Sequence, residues 1–298
     1  MPVKLSIGIW AFAFGPYSAA PKSLDETLER AAQAGYDGVE LSGYPPHVYP
    51  DAFSTPAAQA ALRNRLASLN LGISGFSADL GAVSPIIPEN RRDYLELFRR
   101  TLDVAAAIGS PSVRIDTGSA PGSIPDEDYH TSFHRLADLW RDCADLARHA
   151  GLTILWEFEP GFVFNKPSEV VELHQKVGHP FFQVLFDTAH AYTCGVVGAR
   201  QHRHRETLEG GVGEFLETLH GSIGGVHLTD TDGTLYCDET TTHIPLGQGH
   251  VPFKFIAPKL VALHNVRWWC VDLCFCPSAW DVVDSSLIEA RTILAGAS

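Results

Sequence analysis

The sequence predicts an α/β fold, a single (β/α)8 barrel of the TIM type, formed by one domain over residues 1–298. Two observations support this prediction. Strand-like and helix-like segments alternate along the chain, and eight such pairs fit its length, as parallel strands with helical crossovers require. No linker or low-complexity segment divides the chain. A doubly wound open sheet is the alternative, but no G-x-G-x-x-G follows the first strand.

Apolar runs, many of them rich in β-branched or aromatic residues, predict the eight strands. The first strand alternates strictly between an apolar face and a mixed face, and in the second Glu40 lies on the face opposite Val39 and Leu41. The predicted strands span residues 4–10, 36–41, 71–76, 112–116, 152 to 157–159, 182–187, 225–228 and 266–273.

Capping signals predict where the helices begin and end. Ser23 and Glu26 form the capping box S-L-D-E of the first helix, and Gly35 follows its last residue. Pro56 and Pro167 each lie in the first turn of a helix. The predicted helices span residues 24–34, 56–69, 91–108, 126–150, 167–177, 212–220, 253–263 and 285–294.

The composition, with 45% hydrophobic and 19% charged residues, is that of an ordinary globular protein. The formal net charge is −13 and there is no Lys/Arg run, which argues against binding to nucleic acid or to an anionic membrane surface. There is no apolar stretch of about 18 residues, so no transmembrane helix is expected. The start MPVKLSIGIW lacks a signal-peptide cleavage site. We therefore expect a cytoplasmic protein.

The six cysteines show no C-x-x-C spacing. Cys270, Cys274 and Cys276 lie close together in the sequence, but within an apolar segment. Reduced, buried thiols are the expected state, in agreement with a cytoplasmic location, and a zinc or redox site is the alternative.

Polar residues stand at the ends of predicted strands five to eight. They are Glu157, Asp187, His227 and Asp272. In a closed parallel barrel these ends meet at one mouth, and strand parity places the carboxylates opposite the bulky residues that pack on helices. Three carboxylates and one imidazole predict a divalent metal site, for Mn²⁺ first and for Mg²⁺, Co²⁺ or Zn²⁺ as alternatives. Each carboxylate has an alternative role as a surface group or as an N-cap, the latter for Asp187 in particular, and His227 has one as a core histidine.

Five segments look like the recurring motifs of one family. They are AAQAGYDGVEL, LDVAAAIGSPSVRI, FDTAH, GGVHLTD, and HIPLGQG at residues 243–249. Together they resemble the xylose isomerase-like barrel superfamily, the sugar phosphate isomerase/epimerase group that includes tagatose epimerase and inosose dehydratase. The resemblance covers nearly the whole chain. Each motif alone is weak, and none identifies the substrate.

The resemblance implies that Glu157, Asp187 and His227 are three of the four metal ligands of this family. The fourth is usually a Glu on strand eight, and the matching position here is Asp272, which is one methylene shorter. Asp272 therefore suits a metal ligand better than a group that must reach a substrate carbon. The EFEP segment aligns in two ways, so Glu159 is the alternative to Glu157.

The resemblance also implies which residues carry the chemistry. Glu157 and Asp272 would move the substrate proton through an enediolate intermediate. His190 would contact a substrate oxygen near the metal or take the proton as general base. The alternative for His190 is a histidine with a structural role in the turn.

Four residues are candidates for substrate binding. They are Arg114, Glu159, His243 and Trp10. Arg114 has an alternative role in an internal ion pair with Asp116 or Glu157. His243 has one as a loop anchor, and Trp10 has one as a core residue. The same two roles, a wall for a sugar ring or a core position, are open to Phe76, Trp156 and Trp280.

The predicted function is a divalent-metal-dependent isomerase or epimerase that acts on a keto-sugar or polyol derivative through an enediolate. A lyase of the same fold, either a dehydratase or a β-eliminating deglycosidase, is one alternative, and a non-catalytic sugar-binding barrel subunit is another. Apurinic endonucleases share the barrel, but the charge of −13 argues against DNA repair. The expected partner is a small carbohydrate, with neither nucleic acid nor membrane, and the resemblance implies a homodimer or homotetramer.

Overall fold

A computed structural model describes residues 3–296 of the chain. Eight parallel strands form a closed barrel in which each strand pairs with its sequence neighbours and the last pairs with the first. The strands are β1 Lys4–Gly8, β2 Gly38–Ser42, β3 Gly72–Ser77, β4 Ser112–Ile115, β5 Thr153–Glu157, β6 Phe182–Asp187, β7 Ile223–Leu228 and β8 Trp268–Val271. The predicted barrel is confirmed, and the open-sheet alternative is wrong because β1 pairs with β8. Residues 1–2 and 297–298 of the predicted domain lie outside the described residues.

The helices cover the outside of the barrel. They are α1 Leu24–Ala34, α2 Pro56–Ser68, α3 Arg91–Ile108, α4 Tyr129–Ala150, α5 Pro167–Val177, α6 Thr188–Tyr192, α7 Gly211–Thr218, α8 Phe253–Val261 and α9 Val283–Ala295. The backbone N–H of Glu26 donates to the Ser23 hydroxyl and the Ser23 N–H donates to the Glu26 carboxylate, so the predicted capping box is confirmed. Gly35 ends α1 at φ 91°, a left-handed conformation that glycine adopts without strain. Among the helices of residues 3–296, none combines the length and the apolar character needed to cross a bilayer.

Short elements differ most from the sequence-based expectation. β1 ends at Gly8 instead of residue 10, because Ile9–Phe12 form a 3₁₀ turn. The helix α6 was not predicted. It follows β6 directly and continues into a π-helical turn at Thr193–Val197. The long segment after β7 contains a hairpin of Leu235–Tyr236 and Thr240–Thr241 where a loop was expected. These elements are too short to show a hydrophobic period, so only tertiary contacts reveal them.

Alternate strand residues face the helices and the barrel interior. Trp156 of β5 and Phe182 of β6 face α4, with ring centroids 5.4 Å and 5.5 Å from that of Trp140. Leu155 and Leu185 point into the barrel, next to the inward positions of β7. The carboxylates two residues further along β5 and β6 share this inward face. Trp156 is therefore a core residue and is not part of a sugar-binding wall.

Two other aromatic candidates also have packing roles. Phe76 is completely buried in the main core. Trp280 packs edge-on against Phe12, with ring centroids 5.1 Å apart. Phe76 is therefore a core residue, and the half-buried Trp280 packs against the core.

All six cysteines are unpaired. Five are buried as predicted, but Cys237 is exposed in the hairpin turn, so the prediction of a buried thiol is wrong at this position. Cys270 and Cys274 lie beside Trp10 in a small apolar cluster. Burial raises the pKa of both thiols, which disfavours the thiolate that a zinc or redox site needs.

We predict that Ser23→Ala lowers the free energy of unfolding by about 0.5–2 kcal/mol, because the substitution removes the side-chain half of the capping box. Urea unfolding followed by circular dichroism measures the change. Ser68→Ala, at the exposed end of α2, is the control and should change the stability by less than about 0.5 kcal/mol. Equal effects of the two substitutions would contradict the prediction.

Candidate functional site

The carboxyl ends of the strands surround a cavity of about 150 Å³ at one mouth of the barrel. Polar groups from β4, from the end of β5 and from the segments after β6, β7 and β8 line it. Aromatic rings enclose its outer part. These rings belong to Trp10, Phe14, Tyr44, Phe162 and Phe275. In a barrel of this type, the mouth at the carboxyl ends of the strands is where reactive groups collect.

Three of the predicted metal ligands meet at the floor of this mouth. One ligand atom from each of Glu157, Asp187 and His227 lies within 4.8 Å of the other two. His227 Nδ1 is 2.8 Å from Glu157 Oε1 and 3.9 Å from Asp187 Oδ2. All three side chains are buried. Glu159 lies outside this group, so of the two aligned candidates Glu157 has the position of a ligand.

Two donor atoms of this group have no hydrogen-bond partner within the protein. Glu157 Oε1 and His227 Nδ1 face each other at 2.8 Å, and neither atom has a hydrogen-bond partner of acceptable geometry. Buried polar atoms without partners are costly in free energy. Oxygen and imidazole nitrogen donors that converge in this way fit a divalent cation.

The charges of this group are strongly coupled. Burial alone would raise the pKa of Glu157, but the charges of Arg114 and His227 outweigh burial and hold that pKa well below its ordinary value. Burial opposes protonation of His227, but Glu157 and Glu40 outweigh it and raise the pKa of the imidazole. Burial raises the pKa of Asp187. Without a cation, the proton on His227 therefore compensates the carboxylates around it.

Asp187 has the N-cap role that the sequence offered as its alternative, and it also faces the other candidate ligands. Its Oδ1 accepts hydrogen bonds of 2.8 Å from the backbone N–H groups of Ala189 and His190, so Asp187 is the N-cap of α6. Its Oδ2 accepts a hydrogen bond from the Thr229 hydroxyl and faces His227. The cap fixes the carboxylate while one oxygen remains directed at the site.

Arg114 forms the internal ion pair that the sequence offered as its alternative role. Its Nε donates to Glu157 Oε2 at 2.6 Å, and its Nη1 donates to Asp116 Oδ2 at 2.7 Å. Glu159 Oε1 lies 3.6 Å from Nη2. Three carboxylates therefore surround this guanidinium, which lines the cavity with its charge already compensated.

Asp272 also lines the cavity but is not part of the group of three candidate ligands. Its Oδ1 accepts hydrogen bonds from Trp10 Nε1 at 3.1 Å and from the backbone N–H of Cys274 at 2.8 Å. Its Oδ2 is 3.7 Å from His243 Nδ1. Burial raises the pKa of Asp272 to about 7, so this carboxyl group exchanges protons near neutral pH. Trp10 thus lies at the site, with its ring 5.5 Å from that of His227.

The two other predicted histidines lie side by side over the cavity, with ring centroids 5.3 Å apart. His190 Nδ1 lies 2.8 Å from the Thr241 hydroxyl of the hairpin. Neither ring nitrogen of His243 has a hydrogen-bond partner. Burial lowers the pKa of both to about 4, so both are neutral at pH 7. A neutral imidazole can donate at one nitrogen and accept at the other.

Glu159 lies between Arg114 and the hairpin, where its carboxylate accepts a hydrogen bond from the Thr240 hydroxyl. Burial raises its pKa to about 8. Glu159 is therefore protonated at neutral pH and can donate a hydrogen bond into the cavity.

The sequence analysis missed Glu40 as a functional candidate. Its Oε2 lies 3.0 Å from His227 Nε2, whereas the other ring nitrogen, Nδ1, faces Glu157 and Asp187. The available signal was the carboxylate in an apolar strand, on the face opposite Val39 and Leu41.

Asp230 anchors the loop motif at residues 243–249 through backbone hydrogen bonds. Its carboxylate accepts hydrogen bonds from the backbone N–H groups of Gly247, Gly249 and Val251 at 2.8–3.1 Å. A Cβ at Gly249 would lie 2.2 Å from Asp230 Oδ1, so only glycine fits there. The anchored loop carries His243 to the cavity.

The family model described as xylose isomerase-like TIM barrel matches residues 28–272. A search of curated proteins finds no match. The family resemblance predicted from the motifs is confirmed.

Solved structures share the fold at low sequence identity. A D-tagatose 3-epimerase-like protein is 19% identical, with a TM-score of 0.73 and 98% of each chain covered. A D-psicose 3-epimerase from Clostridium cellulolyticum H10, solved with D-tagatose, is 16% identical, with a TM-score of 0.72. The match covers 98% of this chain and 99% of the epimerase chain. The IolI protein with a binding zinc atom is 16% identical, with a TM-score of 0.73. The match covers 99% of this chain and 98% of the IolI chain.

We predict that Arg114→Met destabilises the protein by about 3–5 kcal/mol at pH 8, because it leaves buried carboxylates without their cation. In the wild type Glu157 has a depressed pKa, so it stabilises the fold above its unfolded-state pKa. Without Arg114, burial should raise the pKa of Glu157. The folded variant should then become less stable as the pH rises. The deficit should therefore shrink at pH 5, as measured by urea unfolding at both pH values.

Arg99→Met is the matched control, because Arg99 forms only an exposed pair with Glu96 at 3.8 Å. We expect a change of less than about 0.5 kcal/mol at either pH. A deficit for Arg114→Met that is the same at pH 5 and pH 8 would refute the role assigned to its ion pairs.

Proposed function

This chain belongs to the xylose isomerase-like TIM barrel family, and on that premise we propose that it is a divalent-metal-dependent isomerase or epimerase of an uncharged keto-sugar or keto-polyol. One observation carries the proposal. The buried Glu157 Oε1 and His227 Nδ1 converge without hydrogen-bond partners, beside Asp187, at the mouth of the barrel. The epimerases among the structures of the same fold add support.

In this proposal Glu157, Asp187 and His227 hold the cation, and Asp272 is the candidate fourth ligand. The oxygen-rich donor set with one imidazole suits Mn²⁺, Mg²⁺, Co²⁺ or Zn²⁺. When bound, the ion polarises a carbonyl group and lowers the cost of removing a proton from the neighbouring carbon.

The protein's own groups supply the proton transfers. The Arg114 guanidinium keeps Glu157 ionised, so its carboxylate is in the form that can accept a proton. Asp272, with a pKa of about 7, takes or returns a proton near neutral pH in the same cavity. His190, held by Thr241 at one nitrogen, offers the other to a substrate oxygen. A carboxylate that accepts a proton and a second carboxyl group that returns one suit the enediolate route of an epimerase.

The charges and size of the cavity favour an uncharged sugar of monosaccharide size. Arg114 is the one Lys or Arg side chain among the described residues that line it, and three carboxylates already surround that side chain. Apart from the proposed metal ion, a phosphate or carboxylate group of a substrate would therefore meet only Arg114, which is already paired with Asp116 and Glu157. The volume of about 150 Å³ lies below the roughly 300–1,000 Å³ of typical ligand pockets, which disfavours an oligosaccharide.

A lyase is the second candidate, and His243 is the observation that favours it. Both of its ring nitrogens are unpartnered, and Nδ1 lies 3.7 Å from Asp272 Oδ2. Asp272, with a pKa of about 7, would protonate a leaving group held by the neutral His243, so that the enediolate eliminates a β-substituent instead of being reprotonated.

We predict that the wild type binds about one Mn²⁺ per chain and releases protons as it does so, because His227 must lose its proton to act as a ligand. The raised pKa of His227 gives the direction: binding tightens as the pH rises. Isothermal titration calorimetry in two buffers of different ionisation enthalpy measures both the affinity and the number of protons released.

Glu157→Gln, Asp187→Asn and His227→Gln should each abolish this binding. His220→Gln, at an exposed histidine outside the site, is the control and should bind like the wild type. Absence of binding by the wild type, or binding that all three variants retain, would sink the proposed metal site.

We predict that the Mn²⁺-loaded enzyme in D₂O exchanges deuterium into the carbon next to the carbonyl of at least one ketohexose, ketopentose or inosose. Asp272→Asn should lower the exchange rate by about 10²–10⁴-fold, because it removes the acid–base group. Asp272→Glu, which restores the usual residue of the family, should retain activity. Nuclear magnetic resonance follows the exchange.

The product separates the candidates: an epimer or isomer supports the first function, and a dehydrated or deglycosylated product supports the lyase. Sugar binding without exchange over the whole panel would leave a non-catalytic sugar-binding barrel.

A further inference from the structure

Glu40 lies in an unusual place for a carboxylate. Every residue of β2 is buried, and Glu40 is 4% exposed. In the strand register it lies between Gly8 of β1 and Gly75 of β3. A Cβ added at Gly75 would lie 3.2 Å from the carboxyl carbon of Glu40. The missing side chain at Gly75 therefore leaves the room that the Glu40 side chain occupies inside the barrel.

From this position Glu40 reaches His227 on β7, although β1 and β8 lie between the two strands. Glu40 Oε2 accepts a hydrogen bond from His227 Nε2 at 3.0 Å, and the two side chains are 5% and 0% exposed. The other nitrogen, Nδ1, faces Glu157 and Asp187. One imidazole thus has one nitrogen held by Glu40 and the other presented to the candidate metal site.

Stability alone does not account for Glu40. Its second oxygen, Oε1, is buried without a hydrogen-bond partner, and well-packed apolar residues often serve as well or better than buried ionic groups. The hydrogen bond to Nε2 provides orientation instead. It holds the plane of the ring and keeps a proton on Nε2, which leaves the lone pair of Nδ1 for a cation.

We infer that Glu40 is a positioning residue that fixes the orientation and the tautomer of His227 for metal binding, an inference that rests on the proposed function. Cys270 offers a competing role for Glu40. The Cys270 thiol, the Glu40 carboxylate and a ring nitrogen of His227 lie within 4.8 Å of one another, an arrangement that would also suit ligands of a second ion. The experiment must therefore separate positioning from direct ligation.

Glu40→Gln and Cys270→Ser, with Mn²⁺ as the probe, make this separation. Isothermal titration calorimetry should give a dissociation constant about 10–100-fold higher for Glu40→Gln than for the wild type, and one within about twofold of the wild type for Cys270→Ser. Circular dichroism and thermal unfolding of the metal-free proteins check the fold. If Glu40→Gln does not fold, Glu40→Met, which is apolar and of similar volume, serves the same comparison.

A spectroscopic readout tests the orientation itself. In the Zn²⁺-loaded protein labelled with ¹⁵N-histidine, the His227 Nε2 proton should resonate far downfield in the wild type and in Cys270→Ser. In Glu40→Gln this resonance should move upfield or disappear, which loss of packing elsewhere in the barrel would not cause.

The outcomes are distinct. Equal affinity in the wild type and Glu40→Gln overturns the inference and leaves the proposed function standing. Two ions per chain in the wild type, with one lost in both Glu40→Gln and Cys270→Ser, makes Glu40 a ligand and also overturns the inference. No bound ion in the wild type refutes the proposed function, and the inference fails with it.

Discussion

A row of buried charges of alternating sign crosses the barrel and holds the site in place. It runs from Asp116 through Arg114, Glu157 and His227 to Glu40, with successive contacts of 2.7, 2.6, 2.8 and 3.0 Å. Each inner member has an opposite charge on both sides. Because a buried charge without compensation costs several kcal/mol, the positions of the four contributing strands depend on one another. A cation at Nδ1 would take the place of the proton on the central imidazole without breaking the row.

The ionisable groups beside this row are uncharged at pH 7 or have a pKa close to 7. Burial raises the pKa of Glu159 to about 8 and that of Asp272 to about 7, and it lowers the pKa of His190 and His243 to about 4. Neutral donors and acceptors pair well with hydroxyl groups, whereas fixed charges would favour an ionic ligand. In the proposed function the charged row would hold the cation, and its neutral neighbours would bind the hydroxyl groups of the substrate.

The segment after β7 completes the cavity from above. The hairpin contributes Thr240 to Glu159 and Thr241 to His190, and the anchored loop at residues 243–249 contributes His243. These segments contribute side-chain contacts to the cavity and contain little regular secondary structure. Such loops on a rigid barrel are where substrate preference usually resides, which agrees with a fold that hosts many reactions.

The sequence by itself determined the eight strands, the main helices and the inward face on which Glu157 and Asp187 lie, because apolar periods and caps act within about ten residues of the chain. Only the tertiary structure decided which side chains meet. Glu40 bonds to His227 across 187 positions, and Asp272 bonds to the Trp10 indole across 262. Barrel closure and strand register create both contacts. Neither contact can be predicted from a local sequence pattern. For the same reason the lone carboxylate of β2 was visible in the sequence, but its partner was not.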